Sequence, residues 1–344
     1  MTKKIPLVSV PMLTYNHEKY IAQAIESVLK QKTNFPFELV IGEDCSTDWT
    51  RAIVEAYAQK YPDQIKVVTS AANVGALANN IRTAKACNGK YMATLEGDDF
   101  WNDELKLQKQ VNFLESNAEF GLVHSDVNHL NEKNGTLVEN YNSTNQLHIP
   151  EGNIFEELLN PEKYIIKTPT ALFRKELFDK YVDYEIVKKK GWVIADLFTW
   201  LSMARFTKFK YFSQALATYR VLGNSASNTD DYRKKLKLHK AVYGIRFYFI
   251  DKYPGNNVML DKIKKQYVST MLFDAFKIPD RKLSSEIREF AQDHNMKLGY
   301  KEYMLYYGTR NTLIHKFLAW SWKYFRAFKR WRMARLTGAN LGES

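Results

Sequence analysis

The sequence predicts an α/β fold: a mostly parallel central sheet covered by helices on both faces, followed by a helical extension. Three observations lead there. Strand-like and helix-like runs alternate four times in the first hundred or so residues. Polar clusters fall where those strands end, not inside them. Beyond residue 230 the strand signals cease and helical periodicity takes over. With 344 residues, 45% of them hydrophobic and 14% aromatic, the chain can fill a real core, which excludes a disordered protein.

The elements follow in order. Leu7 to Thr14 reads as a buried strand, and Glu18 to Lys30 as a helix with Ile21, Ala24, Ile25, Val28 and Leu29 at helical spacing. Phe37 to Ile41 is the second strand, ended by Gly42-Glu43-Asp44-Cys45-Ser46-Thr47-Asp48. Ser46, Thr47 or Asp48 caps a helix that runs to Lys60. Ile65 to Thr69 gives a third strand, Ala76 to Ala86 a third helix and Tyr91 to Leu95 a fourth strand. Helical spacing returns over Leu105 to Leu114, and Phe120 to Ser125 reads as a strand. The polar stretch Asn131 to Pro150 reads as a hairpin or a mobile excursion. Lys167 to Arg174 is taken as a strand bearing polar residues near a cleft. Phe209 to Phe212 and Ala215 to Tyr219 form a last strand pair. Tyr232 to Tyr253, Val258 to Lys277 and Ser284 to His294 are helices with turns at Pro254-Gly255 and Pro279-Asp280.

The formal charge of +12 invites anionic partners: nucleic acid, nucleotide or an acidic membrane surface. Cys45 and Cys87 lack metal-type spacing, which argues against a zinc site or a disulfide framework and fits a reducing compartment. The apolar run from Ile5 to Leu13 contains Pro6 and Pro11 and meets Asn16-His17-Glu18 instead of a small-residue cleavage site. It reads as the first strand, not a secretory signal. No 18 uninterrupted apolar residues occur, so no spanning helix is expected.

Thr94-Leu95-Glu96-Gly97-Asp98-Asp99-Phe100-Trp101 carries the most chemistry. Acids at the carboxyl end of a strand face the crevice in which open α/β sheets bind ligands. Hard oxygen ligands there suit Mg²⁺ or Mn²⁺, although Gly-Asp-Asp is also ordinary turn chemistry. Thr14-Tyr15-Asn16, Glu43-Asp44 and Asn73-Val74-Gly75 stand in equivalent connections, so four clusters converge on one edge. Neither a Gly-x-Gly-x-x-Gly fingerprint after the first strand nor a Walker-type loop is present, which removes the nicotinamide and P-loop readings.

Val8 to Asn16, Glu43 to Thr50, Asn73-Val74-Gly75 and Glu96 to Asp99, in that order, resemble the motifs of family 2 glycosyltransferases over roughly residues 5 to 225. The resemblance implies a GT-A fold and an inverting transfer of a sugar from a nucleotide-diphosphate donor to a saccharide or lipid-linked acceptor. It places Asp44 at the nucleotide base with Glu43 beside it. Thr14, Tyr15 and Asn16, with Glu18, fall in the loop near the base and ribose, and Asn73 and Gly75 stand near the donor. Asp98 falls at the ribose or donor sugar, and Asp99 at the Mn²⁺ or Mg²⁺ ion.

Asp196 opens an apolar helix, where a plain N-cap is the simpler role. It also matches the family's catalytic base, and a metal-bound carboxylate would be a poor proton acceptor. Relatives commonly carry a His where this chain has Leu222, so Arg220, Asn224 or Ser225 is expected to hold the diphosphate in its place. His124 is either a ligand or base or, more plainly, a structural residue.

Residues 301 to 344 hold nine Lys or Arg against two Glu. Leu313, Ile314, Phe317, Leu318, Trp320, Tyr324, Phe325, Phe328 and Trp331 fall on one side of a helical wheel, with Lys316, Lys323, Arg326, Lys329 and Arg330 on the other. This predicts an interfacial helix on an anionic membrane surface, with a helix docked on the rest of the chain or on another subunit as the alternative. The expected division is a GT-A catalytic domain at 1–228, a helical extension at 229–300 and the basic aromatic helix region at 301–344. The expected location is cytoplasmic, peripheral on the inner face of the cell membrane, and an oligomer is compatible with the sequence. No nucleic-acid module precedes the basic tail, so no nucleic-acid partner is expected. A catalytically inactive GT-A domain acting as a carbohydrate-binding or scaffold protein is the reading of another class.

Overall fold

The computed structural model describes residues 5–163, 165–223, 229–318 and 320–321. Its first half runs β1 (Val8–Thr14), α1 (Ile21–Leu29), β2 (Phe37–Glu43), α2 (Thr50–Lys60), β3 (Ile65–Val68), α3 (Ala76–Lys85) and β4 (Tyr91–Ala93). Then come β5 (Leu95–Glu96), β6 (Phe100–Trp101), α4 (Lys106–Ser116), β7 (Phe120–Asn131), β8 (Thr136–Val138), α5 (Tyr141–Thr144) and α6 (Phe155–Leu159). A 3₁₀ turn at Thr168–Thr170 leads into β9 (Leu172–Arg174), α7 (Lys175–Tyr181), α8 (Tyr184–Lys189), α9 (Asp196–Ala204) and β10 (Lys208–Val221). Four further helices follow: α10 (Tyr232–Lys252), α11 (Asn257–Lys277), α12 (Arg281–Asp293) and α13 (Tyr300–Arg310).

The sheet order is β3-β2-β1-β4-β9-β7-β10-β6, with β5 beside β1 and β8 beside β7. The pairs among β1, β2, β3, β4 and β5 are parallel, as is β7 with β10. β9 is inserted antiparallel between β4 and β7, and β6 runs antiparallel to β10. The core sits where β1, β2 and β4 meet α1 and α4: Val8, Val10, Met12, Ile21, Ile25, Leu39, Ile41, Leu107 and Leu114 have no exposed surface.

Three expectations about strands need correction. The fourth strand breaks at Thr94, whose N–H donates to the Ala171 carbonyl (3.2 Å) and whose hydroxyl donates to the Thr168 carbonyl (2.7 Å). Of Lys167 to Arg174 only the last three residues are strand, because Pro169 fixes a turn before them. The last strand pair is one long strand, β10. Exposed Ser213 and Gln214, which look like a turn, are absorbed by a bulge between Phe212 and Ala215. Asn131 to Pro150 does hold a hairpin, in which Asn131, Leu130 and His129 pair with Thr136, Leu137 and Val138.

The chain divides into two compact units. One comprises Met1–Asp230 with Lys240–Leu260, the other Asp231–His239 with Asp261–Ser344. In the second, Asp274 has no exposed surface and its Oδ2 lies 2.7 Å from Nδ1 of His239.

Gly89, just before β4, is required by a close approach. A Cβ there would stand 2.5 Å from the Ser9 nitrogen, 2.8 Å from the Val8 carbonyl carbon and 2.9 Å from the Tyr91 oxygen, all backbone. Gly89→Ala should therefore cost about 2–3 kcal/mol of stability, read as a lower urea midpoint with an unchanged m-value.

Candidate active site

The carboxyl ends of β1, β2 and β5 are locked in register. The Asp44 N–H donates to the Thr14 carbonyl (3.1 Å) and the Gly97 N–H to the Leu13 carbonyl (2.8 Å). A Cβ on Gly97 would meet Thr14 Oγ1 at 2.7 Å and His17 Nδ1 at 3.0 Å, so only glycine lets the acidic turn pack against the β1 end. The loop after β1 is zipped to the loop after β2. Asn16, with φ +55°, donates its N–H to Ser46 Oγ (3.0 Å) and accepts from the Thr47 N–H (2.9 Å). The Glu18 N–H donates to Asp48 (3.1 Å), and the Glu18 carboxylate accepts from the Trp49 N–H (3.1 Å). Asp48 Oδ1 accepts from the N–H of Thr50, the first residue of α2 (2.9 Å), but the N-cap position is Trp49, which makes no side-chain cap bond, so none of Ser46, Thr47 and Asp48 is the N-cap. Tyr15 stays 43% exposed at this rim.

Against this frame stands a cluster of carboxylates. Burial, and then the charges of Asp98 and Asp196, push the Glu96 carboxyl up to about 8. Burial, Asp98 and Glu96 likewise raise that of Asp99, which is 2% exposed and accepts the Arg220 N–H at 2.7 Å. Asp98 lies 4.0 Å from His17 Nε2. Asp196 is the first residue of α9, and its Oδ1 accepts the Leu197 N–H at 2.7 Å. Lys167 faces this group: burial lowers the affinity of its amine for a proton, while Asp196 and Asp99 oppose that.

Such a concentration of like charge fits a hard divalent cation. Among the described residues no three His, Cys, Asp or Glu side chains form a cage. Magnesium-type ions need none, since they are often held by one or two carboxylates plus substrate phosphates. Buried Thr14 Oγ1 and His17 Nδ1, beside the turn, lack a hydrogen-bond partner among the described residues. Those orphaned polar atoms mark the same corner as a place where a ligand's polar groups are accommodated.

The other expected site residues are placed as follows. Asp44 is 2% exposed: its Oδ1 accepts from the Val74 N–H (2.9 Å) and its Oδ2 from the Gly75 N–H (2.9 Å), while Arg82 stands 3.4 Å from Oδ1. The Asn73 amide donates to the Asp44 carbonyl (3.0 Å). Asp44, Asn73 and Gly75 thus form one latch, and Gly75 is glycine because φ is +85°. Glu43 has no exposed surface. Its carboxylate accepts from the Ser46 N–H (2.6 Å), Arg51 Nε (2.7 Å) and Thr69 Oγ1 (3.0 Å). Burial alone would raise this carboxyl, but those donors outweigh it and hold it below the usual range. Glu43 therefore braces the rim and offers no unengaged oxygen to a nucleotide.

Arg220 also departs from expectation. Its guanidinium lies 4.9 Å from the rings of both Tyr20 and Phe100 and donates to Glu132 and Gln23. It reaches Asp99 through its backbone N–H, and its charge also favours the ionised Asp99. Asn224 and Ser225 lie outside the described residues. Sequence reasoning missed Lys167 and His17 as members of the cluster. The signal for Lys167 was its place just before a Thr-Pro-Thr turn; His17 stood in a recognised loop without a motif of its own.

Residues 9–182 match the family model described as Glycosyl transferase family 2. An uncharacterized protein of Mycobacterium tuberculosis is 40% identical over 111 residues, which are 32% of this chain and 32% of that protein. The matched segment thus spans about a third of that relative's length. The chain is also 32% identical over 231 residues to a Bacillus subtilis protein assigned to teichuronic acid biosynthesis as the glycosyltransferase TuaG, covering 66% of this chain and 84% of TuaG. Among solved structures, the mannosyltransferase PcManGT of Pyrobaculum calidifontis, in complex with GDP-Man and Mn²⁺, superimposes with a TM-score of 0.56 at 14% identity, over 91% of this chain and 86% of that one. That likeness concerns the fold, which is GT-A.

His124 leaves the list of candidate ligands and bases. It has no exposed surface, neither ring nitrogen finds a hydrogen-bond partner among the described residues, and its ring lies 5.3 Å from that of Tyr211. Burial pushes the imidazole down to about 3 from its ordinary 6.5. The folded protein keeps the ring neutral while the unfolded chain takes a proton near pH 6.5. The stability this residue supplies is therefore complete above that pH and drains away as pH falls toward 3. His124→Leu should flatten the acid limb of the stability profile between those limits by up to ~1.4 kcal/mol per pH unit. Denaturant melts across that range read the slope.

Proposed function

The chain belongs to glycosyl transferase family 2, and on that premise we propose that it moves a sugar from a nucleotide-diphosphate donor to a hydroxyl of a saccharide or lipid-linked acceptor, with inversion. One observation carries the reading. Asp196, brought by a helix a hundred residues downstream, lies near enough to Glu96 for its charge to raise the Glu96 proton affinity. This supports a base candidate acting at the same sheet edge as the metal-type carboxylates, as a displacement at a diphosphate-bearing carbon requires.

The chemistry divides among the side chains. Asp99, with Asp98 beside it, would hold Mn²⁺ or Mg²⁺, an ion that supplies charge neutralisation to the donor diphosphate. Asp196, the first residue of α9, takes the proton of the acceptor hydroxyl. The hydroxyl oxygen attacks the anomeric carbon from the face opposite the nucleotide, so the configuration inverts. Asp98 orients the ribose or donor sugar. Thr14, Tyr15, Asn16 and Glu18, with the Asp44, Asn73 and Gly75 latch, build the wall for base and ribose. Glu43 and Arg220 support that wall from behind.

We assign catalysis to residues 1–228, a helical extension to 229–300 and acceptor-side membrane contact to 301–344. Leu313, Phe317 and Trp320 are 78%, 63% and 57% exposed, with Lys316 among them, which supports contact with an anionic leaflet at the inner face of the cell membrane. One part of the expected helical wheel is revised. Leu318 is buried, a Cβ on Gly308 would meet its Cδ1 at 2.9 Å, and His315 stacks on Phe276 at 4.4 Å. This segment docks one face on its own helical unit and presents the other. Tyr324, Phe325, Phe328, Trp331 and the basic residues from Lys323 onward lie outside the described residues.

Asp196→Asn should bind a nucleotide sugar about as well as the parent chain and lose transfer by about 10³-fold or more, read by calorimetry beside a transfer assay. Normal turnover would overturn the base assignment. Asp99→Asn should lose about tenfold or more of the donor affinity gained on adding Mn²⁺, and chelating the metal from the parent chain should reproduce that loss. An inactive scaffold would show neither hydrolysis nor transfer with any nucleotide sugar that stabilises it in a thermal-shift screen. Phe317→Glu combined with Trp320→Glu should abolish salt-sensitive co-sedimentation with phosphatidylglycerol vesicles, with transfer to a soluble acceptor unchanged.

A further inference from the structure

The turn that carries Lys167 is fastened to the acidic motif on both sides. Before the motif, the Thr94 hydroxyl donates to the Thr168 carbonyl (2.7 Å) and the Thr94 N–H to the Ala171 carbonyl (3.2 Å). After it, Trp101 Nε1 donates to the Pro169 carbonyl (2.9 Å), and the Gln110 amide to the Thr170 carbonyl (2.9 Å). Within the turn, the Lys167 carbonyl accepts from the Thr170 N–H (3.0 Å) and hydroxyl (2.7 Å). A turn held at this many points fixes where the lysine side chain begins.

The side chain ends against Tyr219, with Nζ 4.8 Å from the ring centroid. Tyr219 immediately precedes Arg220, whose N–H holds Asp99. A cation–π contact of this kind orients an ammonium. Asp196 and Asp99 are the carboxylates whose charges act on Lys167. With its ammonium over Tyr219 and the next residue's N–H on Asp99, Lys167 stands at the same sheet edge as these acids. The neighbouring cation, Arg220, has its guanidinium committed to Glu132, Gln23 and two aromatic rings. The side chain at position 222, leucine, can donate nothing.

We propose that Lys167 contacts the donor diphosphate and stabilises the charge that develops on the departing phosphate oxygen. This rests on the donor reading above. In the step, the bond between the anomeric carbon and the phosphate oxygen breaks with its electron pair passing to that oxygen. The acceptor oxygen forms the new bond, and the acceptor proton goes to Asp196. Lys167 remains protonated throughout and contributes a charge-assisted hydrogen bond that strengthens as the leaving oxygen gains charge.

The test uses the full chain, with Lys167→Met, Lys167→Gln and Lys167→Arg, each checked for an unchanged melting transition. UDP, GDP, ADP and dTDP are titrated by calorimetry, once with Mn²⁺ and once with a chelator. Lys167→Met and Lys167→Gln should each weaken the diphosphate that binds by about tenfold in both media. Their kcat should fall more than KM rises, and Lys167→Arg should recover most of the binding. Affinity and kcat within twofold of the parent chain in folded Met or Gln variants would overturn the role of Lys167 and leave the donor reading intact. A parent chain that binds none of the four nucleotides in either medium would overturn both. Weakening seen only with Mn²⁺ present would also overturn the proposal, since it would place Lys167 behind the metal site instead of on the diphosphate.

Discussion

Crowding of negative charge at one sheet edge is the constraint on which the rest of this structure depends. Burial first, and then the neighbouring charges of Asp98 and Asp196 on Glu96 and of Asp98 and Glu96 on Asp99, raise the carboxyls of Glu96 and Asp99, and Asp99 has almost no exposed surface. Buried like charges are costly unless dipoles and counter-charges are built around them. Here the compensation is the Arg220 backbone N–H and charge on Asp99, the N-terminus of α9 at Asp196 and the Lys167 ammonium. None cancels the cluster outright. The residual attraction for positive charge is what makes the edge a site and not merely a strained turn.

Holding such a cluster demands stiffness, and other carboxylates supply it. Glu43 ties the end of β2 to Arg51 of α2 and to Thr69 beyond β3. Asp44 grips the backbone of Val74 and Gly75 with both oxygens. These two residues share a motif with surface acids in the sequence but are spent on scaffolding in the fold. Every Glu43 or Asp44 oxygen has a backbone or arginine partner at hand.

This distinction also explains how far the sequence could be read. Strands β1, β2, β3 and β4 and their helices were legible because each has its own hydrophobic period and turn residues. The convergence of Thr14, Asp44, Gly75 and Asp99 followed from alternation alone. Partner choice was not legible, because it depends on residues far apart in the chain. Nothing near Arg220 announces that Glu132, Gln23, Tyr20 and Phe100 will enclose its guanidinium. Nothing near Leu318 announces that Gly308 leaves room for it, and a helical wheel drawn from period alone put it with Phe317 and Trp320. His124 looked available for chemistry because its strand period gives no measure of how completely the flanking elements cover it.

The strand β9, expected within Lys167 to Arg174 but without its antiparallel direction, is what completes the site. A strand running against its neighbours begins at the edge where they end, so the turn before β9 arrives at the carboxyl edge of β4, carrying Lys167. A helix leading into a parallel strand runs the other way, so α9 begins at that same edge with Asp196 and hands over to β10. β10 then returns to the edge and delivers Tyr219 and Arg220 beside Asp99. Reversing β9 would send the Lys167 turn to the far end of the sheet and leave the carboxylates without it. Direction of travel, set by a three-residue strand, therefore decides which charges meet.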